Sequence, residues 1–138
     1  MPLITKQYKF CAAHKYWNPD WDKDKNYLVF GEDIRLHGHN YELDVTVGGP
    51  ISDKSGFIIN IMDLNNLIEE FVIEKLDHYQ IEKDIDWFRG KQPSTENLVI
   101  YIWEQIAEKM PAPAYLHSIK LRETPTIYTE YYGPKGEE

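Results

Sequence analysis

The chain has 138 residues, 42% of them hydrophobic and 14% aromatic, with a formal net charge of -8. That length supports one domain with a real core and leaves no room for two ordinary ones. The acidic balance and the absence of any lysine or arginine run argue against a nucleic-acid partner, because phosphate backbones are met by basic faces. The apolar runs are too short to cross a bilayer, so no membrane partner is expected. The opening Met1-Pro2-Leu3-Ile4-Thr5-Lys6 lacks the charged start, apolar middle and cleavage site of a signal peptide, and a cytoplasmic location is expected. A single cysteine, Cys11, excludes an internal disulfide and a Cys-rich zinc site.

Residues from Ile4 to Ala13 alternate loosely and are rich in β-formers, which predicts a strand ending at His14. Tyr16 to Leu36 carries Asn18-Pro19-Asp20 and Gly31, shows no helical periodicity, and reads as a long functional loop. A second strand begins around His37. Within it Tyr41, Leu43, Val45 and Val47 share one face and Glu42, Asp44 and Thr46 the other, a half-buried antiparallel pattern. His37 and His39 fall in phase with the apolar side if the strand runs straight through Gly38, whereas a bulge there would change the phase.

Gly48-Gly49-Pro50 ends that strand, and Asp53-Lys54-Ser55-Gly56 turns into Phe57-Ile58-Ile59. A helix starting near Asp63 places Leu64, Leu67, Ile68, Phe71, Val72 and Leu76 on one stripe. A second helix opens at Pro93-Ser94-Thr95-Glu96-Asn97, where a Ser/Thr N-cap precedes an acidic first turn. Val99, Ile102, Trp103, Ile106 and Met110 form its stripe, and Pro111 and Pro113 stop it. Strands from Tyr115 to Arg122 and from Thr126 to Tyr132 close the chain. The order β-β-α-α-β-β predicts an α+β domain, a four-stranded antiparallel sheet with two helices on one face.

Three of the five histidines lie in two short segments, His14 after Phe10-Cys11-Ala12-Ala13 and the pair in His37-Gly38-His39. Side chains two apart in an extended segment share a face, so His37 and His39 can reach one ion while a neighbouring strand supplies His14. Three imidazoles leave a fourth coordination position open, as catalytic zinc sites do. The alternative is two surface histidines and one core histidine satisfied by a carbonyl.

His14, His37-Gly38-His39-Asn40-Tyr41, Leu76-Asp77-His78, Ser94-Thr95-Glu96-Asn97 and Glu123-Thr124, in that order, resemble the 6-pyruvoyl-tetrahydropterin synthase and 6-carboxytetrahydropterin synthase family. The resemblance covers nearly the whole chain. It implies the tunnelling fold, or T-fold, whose subunits join through sheet edges into trimeric barrels that stack as a homohexamer, a dimer of trimers. It also implies Zn2+ on His14, His37 and His39 and a small dihydropterin substrate, usually 7,8-dihydroneopterin triphosphate. Glu123 then suits pterin recognition, because an ionised carboxylate accepts two parallel hydrogen bonds from the N3-H and 2-amino edge. In Asp77-His78 the carboxylate fixes one tautomer of an imidazole that moves a proton to or from the substrate side chain. Thr95 and Glu96 match positions near the pterin, although N-capping alone also explains Ser94 and Thr95.

The family base is a cysteine shortly before the His-x-His pair, and here that stretch reads Phe30-Gly31-Glu32-Asp33-Ile34-Arg35-Leu36. Alignment with the carboxytetrahydropterin members puts Asp33 at the cysteine position, with Glu32 beside it. An exposed aspartate, with a pKa near roughly 3.9 against about 8.5 for a thiol, is the weaker base. Cys11 reads as a small buried filler. The leading expectation is a zinc-dependent lyase acting on dihydroneopterin triphosphate, of the 6-carboxytetrahydropterin or 6-pyruvoyl-tetrahydropterin type. One alternative is cleavage of the dihydroneopterin side chain to 6-hydroxymethyl-dihydropterin, the activity associated with a family subgroup that carries glutamate for cysteine. The other is a pterin-binding protein without turnover. Lys15, Lys23, Lys25 and Arg35 are the only cations in or beside the loop, and each reads as a solvated charge among Asp20, Asp22, Asp24, Glu32 and Asp33.

Overall fold

A computed structural model of the chain describes residues 1–135. The first alternating segment forms β1 (Ile4–His14), with Phe10, Ala12 and His14 buried at its end. It pairs antiparallel with β2 (His37–Gly48) in unbroken register, from Ile4 opposite Val47 to His14 opposite His37. No bulge falls at Gly38, so the two histidines of β2 share the inward face with Tyr41, Leu43 and Val45. β3 (Tyr115–Thr124) and β4 (Ile127–Tyr131) complete a four-stranded antiparallel sheet in the order β1-β2-β3-β4. β3 runs on to Thr124, and β4 is shorter than the predicted 126–132.

In chain order, the first of the helices that follow are α1 (Lys23–Phe30) and α2 (Ile61–Ile68). α2 opens two residues before the predicted start, because the Asn60 side chain accepts from the Met62 N-H. It passes through a wider, π-type stretch (Glu69–Ile73) into a last turn (Glu74–Leu76). That stretch rotates the buried stripe: Leu64, Ile68, Val72, Ile73 and Leu76 are buried, while Leu67 and Phe71 are only partly covered. α3 (Thr95–Ile106) is capped by Ser94, whose hydroxyl accepts from the Asn97 N-H. Its buried face adds Leu98 and Tyr101 to the predicted stripe because Phe88, in a short turn (Asp86–Phe88), packs against Tyr101 with ring centroids 5.5 Å apart. The buried side chains of sheet and helices form a single apolar cluster. No helix is long and apolar enough to cross a membrane among the described residues.

The stretch 16–36 is not all loop, contrary to the expectation. α1 and a 3-10 turn (Gly31–Ile34) occupy its second half. Tyr27, Leu28 and Val29 of α1 are exposed and Asn26 is its one buried residue, so the helix has no apolar face for a periodicity to reveal. What holds it is polar. The Asn26 side chain accepts from the Asn18 N-H, and its amide donates to the carbonyls of Asn18, Trp21 and Asp22. A second unpredicted helix (Ile81–Asp84) follows residues 77–80, which run along the outer edge of β1. There the Ala13 N-H donates to the Tyr79 carbonyl and the His78 N-H to the Cys11 carbonyl.

Candidate active site

The register of β1 and β2 sets His14 opposite His37 at the end of the sheet. The three imidazole rings stand edge to face, with centroids 4.6 Å (His14 to His37), 5.0 Å (His14 to His39) and 5.2 Å (His37 to His39) apart. His14 Nδ1 lies 3.0 Å from the Pro93 carbonyl oxygen, and His37 Nδ1 lies 2.7 Å from that of Arg35. A carbonyl only accepts, so both Nδ1 atoms carry the hydrogen and both Nε2 atoms present a lone pair. Those two Nε2 atoms face each other at 3.0 Å. His39 Nε2 is buried and has no hydrogen-bond partner.

One donor atom from each of the three histidines falls within 4.8 Å of the others. Burial, reinforced by the neighbouring His37 and His39, lowers the pKa of His14 to about 4, so its imidazole is neutral at pH 7. Lone pairs that converge without a hydrogen between them repel unless a cation joins them. Three convergent imidazoles, two of them with tautomers fixed by main-chain carbonyls, therefore fit a divalent metal of zinc's type.

Carboxylates ring this cluster. Asp33 Oδ1 lies 3.7 Å from His37 Nε2, and the Asp33 carbonyl accepts from the Tyr16 N-H. Glu32 turns away: its carboxylate accepts from the Tyr27 hydroxyl at 2.9 Å and lies 3.4 Å from Arg35 Nε. In a 3-10 turn neighbouring side chains point roughly 120° apart, and this separates the two acids. Glu123 Oε1, on β3, lies 3.8 Å from His39 Nε2 with its side chain 15% exposed. Burial raises the Glu123 pKa, and Asp33 and Glu96 add to the rise against the opposing effect of His37. Thr95 Oγ1 lies 2.9 Å from Thr129 Oγ1 and donates to Glu96, tying the first turn of α3 to β4.

Tyr16 was not singled out in the sequence, although it sits two residues beyond His14. Its ring stacks on Phe30 at 5.4 Å and tilts against His14 at 5.1 Å. Burial, with the charges of Glu123, Asp33 and Glu96, pushes its phenol pKa upward, so it remains a neutral donor. A groove of about 470 Å³ brings Lys15, the residue after His14, together with Arg89 and Lys91, two cations the sequence reading did not weigh.

Asp77 and His78 are not brought to the three histidines. Side chains alternate across a strand, so Cys11 faces away from the side that holds Phe10, Ala12 and His14. Asp77 Oδ1 accepts from the Cys11 N-H at 2.9 Å, Asp77 Oδ2 lies 2.8 Å from His78 Nδ1, and Cys11 Sγ stands 3.6 Å from His78 Nε2. Cys11 is half-buried rather than the buried filler expected. The Cys11 N-H chiefly, with His78 adding to it, lowers the Asp77 pKa. Among the described residues no hydrogen bond, ion pair or ring contact joins this group to the histidine cluster.

A four-stranded antiparallel sheet backed by helices, closed at one end by three convergent imidazoles and a half-buried glutamate, defines a T-fold protein of the pterin synthase class. Residues 3–134 match the family described as 6-pyruvoyl tetrahydropterin synthase, and the chain belongs to that family. It is 36% identical over 134 residues to a 6-pyruvoyl tetrahydrobiopterin synthase of Drosophila melanogaster, covering 96% of this chain and 80% of the relative. It is 30% identical over 120 residues to a dihydroneopterin monophosphate aldolase of Pyrococcus furiosus, covering 87% and 88%. The solved structure of the Caenorhabditis elegans 6-pyruvoyl tetrahydropterin synthase superposes with a TM-score of 0.86 at 28% identity, covering 96% of this chain and 97% of that one. These relatives are named for pterin chemistry, which supports an enzyme here.

Proposed function

We propose that the protein is a zinc-dependent lyase acting on 7,8-dihydroneopterin triphosphate, yielding a 6-carboxytetrahydropterin or 6-pyruvoyl-tetrahydropterin type of product. The observation that carries this reading is the convergence of a ring nitrogen from each of three imidazoles beside Asp33 and Glu123. His14, His37 and His39 would hold the zinc, which when bound would supply Lewis acidity toward the substrate side chain. Glu123 accepts from the N3-H and 2-amino edge of the pterin and orients it. Neighbouring strands lie about 4.8 Å apart, so a ring anchored on β3 extends its side chain across β2 toward the histidines. Asp33 takes the proton from the side-chain carbon, and the neutral Tyr16 phenol donates a hydrogen bond on the same side.

The proton carrier Asp77-His78 comes, in this reading, from a second copy of the chain in a cytoplasmic homohexamer. Support lies in the two sheet edges. β1 is covered only near residues 11–13, and β4 (Ile127–Tyr131) forms the opposite edge with Ile127 and Tyr128 exposed. A phosphorylated side chain is supported by the groove of Lys15, Arg89 and Lys91, which exceeds its two acids, Asp20 and Glu82, by one charge.

A second reading, side-chain cleavage to 6-hydroxymethyl-dihydropterin, is favoured by the carboxylate of Asp33 standing where a thiol is usual and by the similarity to the Pyrococcus furiosus aldolase. Incubating the zinc-loaded protein with dihydroneopterin triphosphate and with dihydroneopterin, and identifying products by mass spectrometry, separates the two. A 6-carboxy or 6-pyruvoyl product supports the first reading, 6-hydroxymethyl-dihydropterin the second. Tight binding of either compound without turnover overturns both in favour of a pterin-binding protein.

A further inference from the structure

A cavity of about 570 Å³ opens where the last turn after α2 (Glu74–Leu76), the segment 79–87 and α3 meet, and none of the three clustered histidines lines it. Small-molecule sites enclose about 300–1,000 Å³, so the space suits a ligand of that class. Tyr101 of α3 lines this cavity and is 5% exposed, yet its hydroxyl has no hydrogen-bond partner among the described residues. Burial alone raises its pKa, with no hydrogen bond contributing. The rings of Trp87 and Phe88 hold the phenol in place, each with its centroid 5.5 Å from that of Tyr101. A fixed, nearly buried hydroxyl without a partner is costly unless something that enters the cavity meets it.

The charge of the walls says what enters. Glu74, Asp84 and Asp86 face a single lining cation, Lys75. Asp86 pairs with Arg89 at 3.3 Å, but both side chains are at least 85% exposed and the pair is screened by solvent. Asp84 uses one oxygen to accept from the Gln80 N-H at 2.9 Å and keeps the other. Among the described residues the three carboxylates do not bring one oxygen each within 4.8 Å of one another, so their charge is spread along the cavity rather than focused on one compact ion. Trp87 and Tyr79 add flat apolar walls. The indole of Trp87 already attracts an ammonium, with Lys91 Nζ 4.3 Å from its centroid, and its N-H is anchored on Glu104 at 3.0 Å.

We propose that this cavity binds a linear aliphatic polyamine, with its methylenes on Trp87 and Tyr79, its ammonium groups at Glu74 and Asp84, and an N-H donated to the Tyr101 hydroxyl. Separated ammonium groups match separated carboxylates, and the apolar links between them match the aromatic walls. Neither a metal nor a pterin takes part, so the inference stands apart from the lyase reading.

The test is calorimetric titration of the full-length protein with spermidine at constant ionic strength, with magnesium chloride as the compact-cation control. One spermidine per chain is expected to bind with a Kd below about 1 mM, undisplaced by Mg2+ at matched ionic strength. Glu74→Gln/Asp84→Asn is expected to weaken binding about tenfold or more, and Tyr101→Phe, which keeps the ring, about threefold or more. Asp53→Asn/Glu108→Gln removes the same charge from residues outside the cavity and should leave the affinity within about twofold. Equal weakening by that distant pair means attraction to the acidic chain as a whole and overturns the site. Wild-type affinity in Tyr101→Phe or in Glu74→Gln/Asp84→Asn, displacement by Mg2+, or no saturable binding overturns it as well.

Discussion

The two imidazole sites on either side of β1 are built on opposite plans. His14 is fully buried, its ring hydrogen is fixed by a main-chain carbonyl, and its lone pair meets that of His37 beside the ring of His39. His78 has a side chain 78% exposed, is oriented by a side-chain carboxylate, and sits on a turn that clasps a strand edge. The buried site has its geometry in place before anything binds and little freedom to change it. The exposed one keeps a ring that can trade partners, which suits proton transfer.

The sharpest way to test that contrast is to remove the buried site. His14→Ala is expected to eliminate the tight metal equivalent and lower pterin turnover by about 10⁴-fold, as metal analysis and steady-state kinetics would show. Next comes the acid beside it. Asp33→Asn is expected to lower kcat by about 10²–10³-fold, while Glu32→Gln, whose partner is Tyr27, changes it less than about twofold. Equal effects of the two would break the assignment.

The exposed site should then reveal whether it serves a neighbouring chain. Co-assembling His78→Ala with Asp33→Asn subunits, each inactive alone, should restore activity in about one site in four, and none if both residues act within one chain. Stability probes the polar knot behind Asp33. Asn26→Ala is expected to lower unfolding free energy by about 1–3 kcal/mol in denaturant titrations, because it strands buried carbonyls and an amide. The smallest effect belongs to the groove. Arg89→Ala/Lys91→Ala should raise KM for the triphosphate a few-fold, about 0.5–1 kcal/mol, and leave that for unphosphorylated dihydroneopterin unchanged.

Much of this architecture could be read from residue order because it rests on burial. The phase of Tyr41, Leu43, Val45 and Val47 puts both histidines of β2 on the inward face provided that the strand runs straight through Gly38, and the structure shows that it does. Where burial is not the cause, periodicity is silent. α1 escaped because Asn26 holds it, and the legible signal was Asp22, whose side chain caps it by accepting from the Lys25 N-H. Glu32 and Asp33 are chemically alike and adjacent, so only the sense of a 3-10 turn separates them. Asp77 and His78 could be recognised as a pair, but the side of β1 they occupy follows from a left-handed residue that composition does not mark.

The acceptors that orient His14 and His37 are the carbonyls of Pro93 and Arg35, groups that every amino acid carries. Point mutation at either position swaps a side chain and leaves the acceptor in place. The wiring behind these ligands is therefore buffered against residue drift and vulnerable to insertions or deletions, which would carry the carbonyl out of reach. Among descendants of this sequence, segment lengths before His37 and Ser94 should vary less than the residues that fill them.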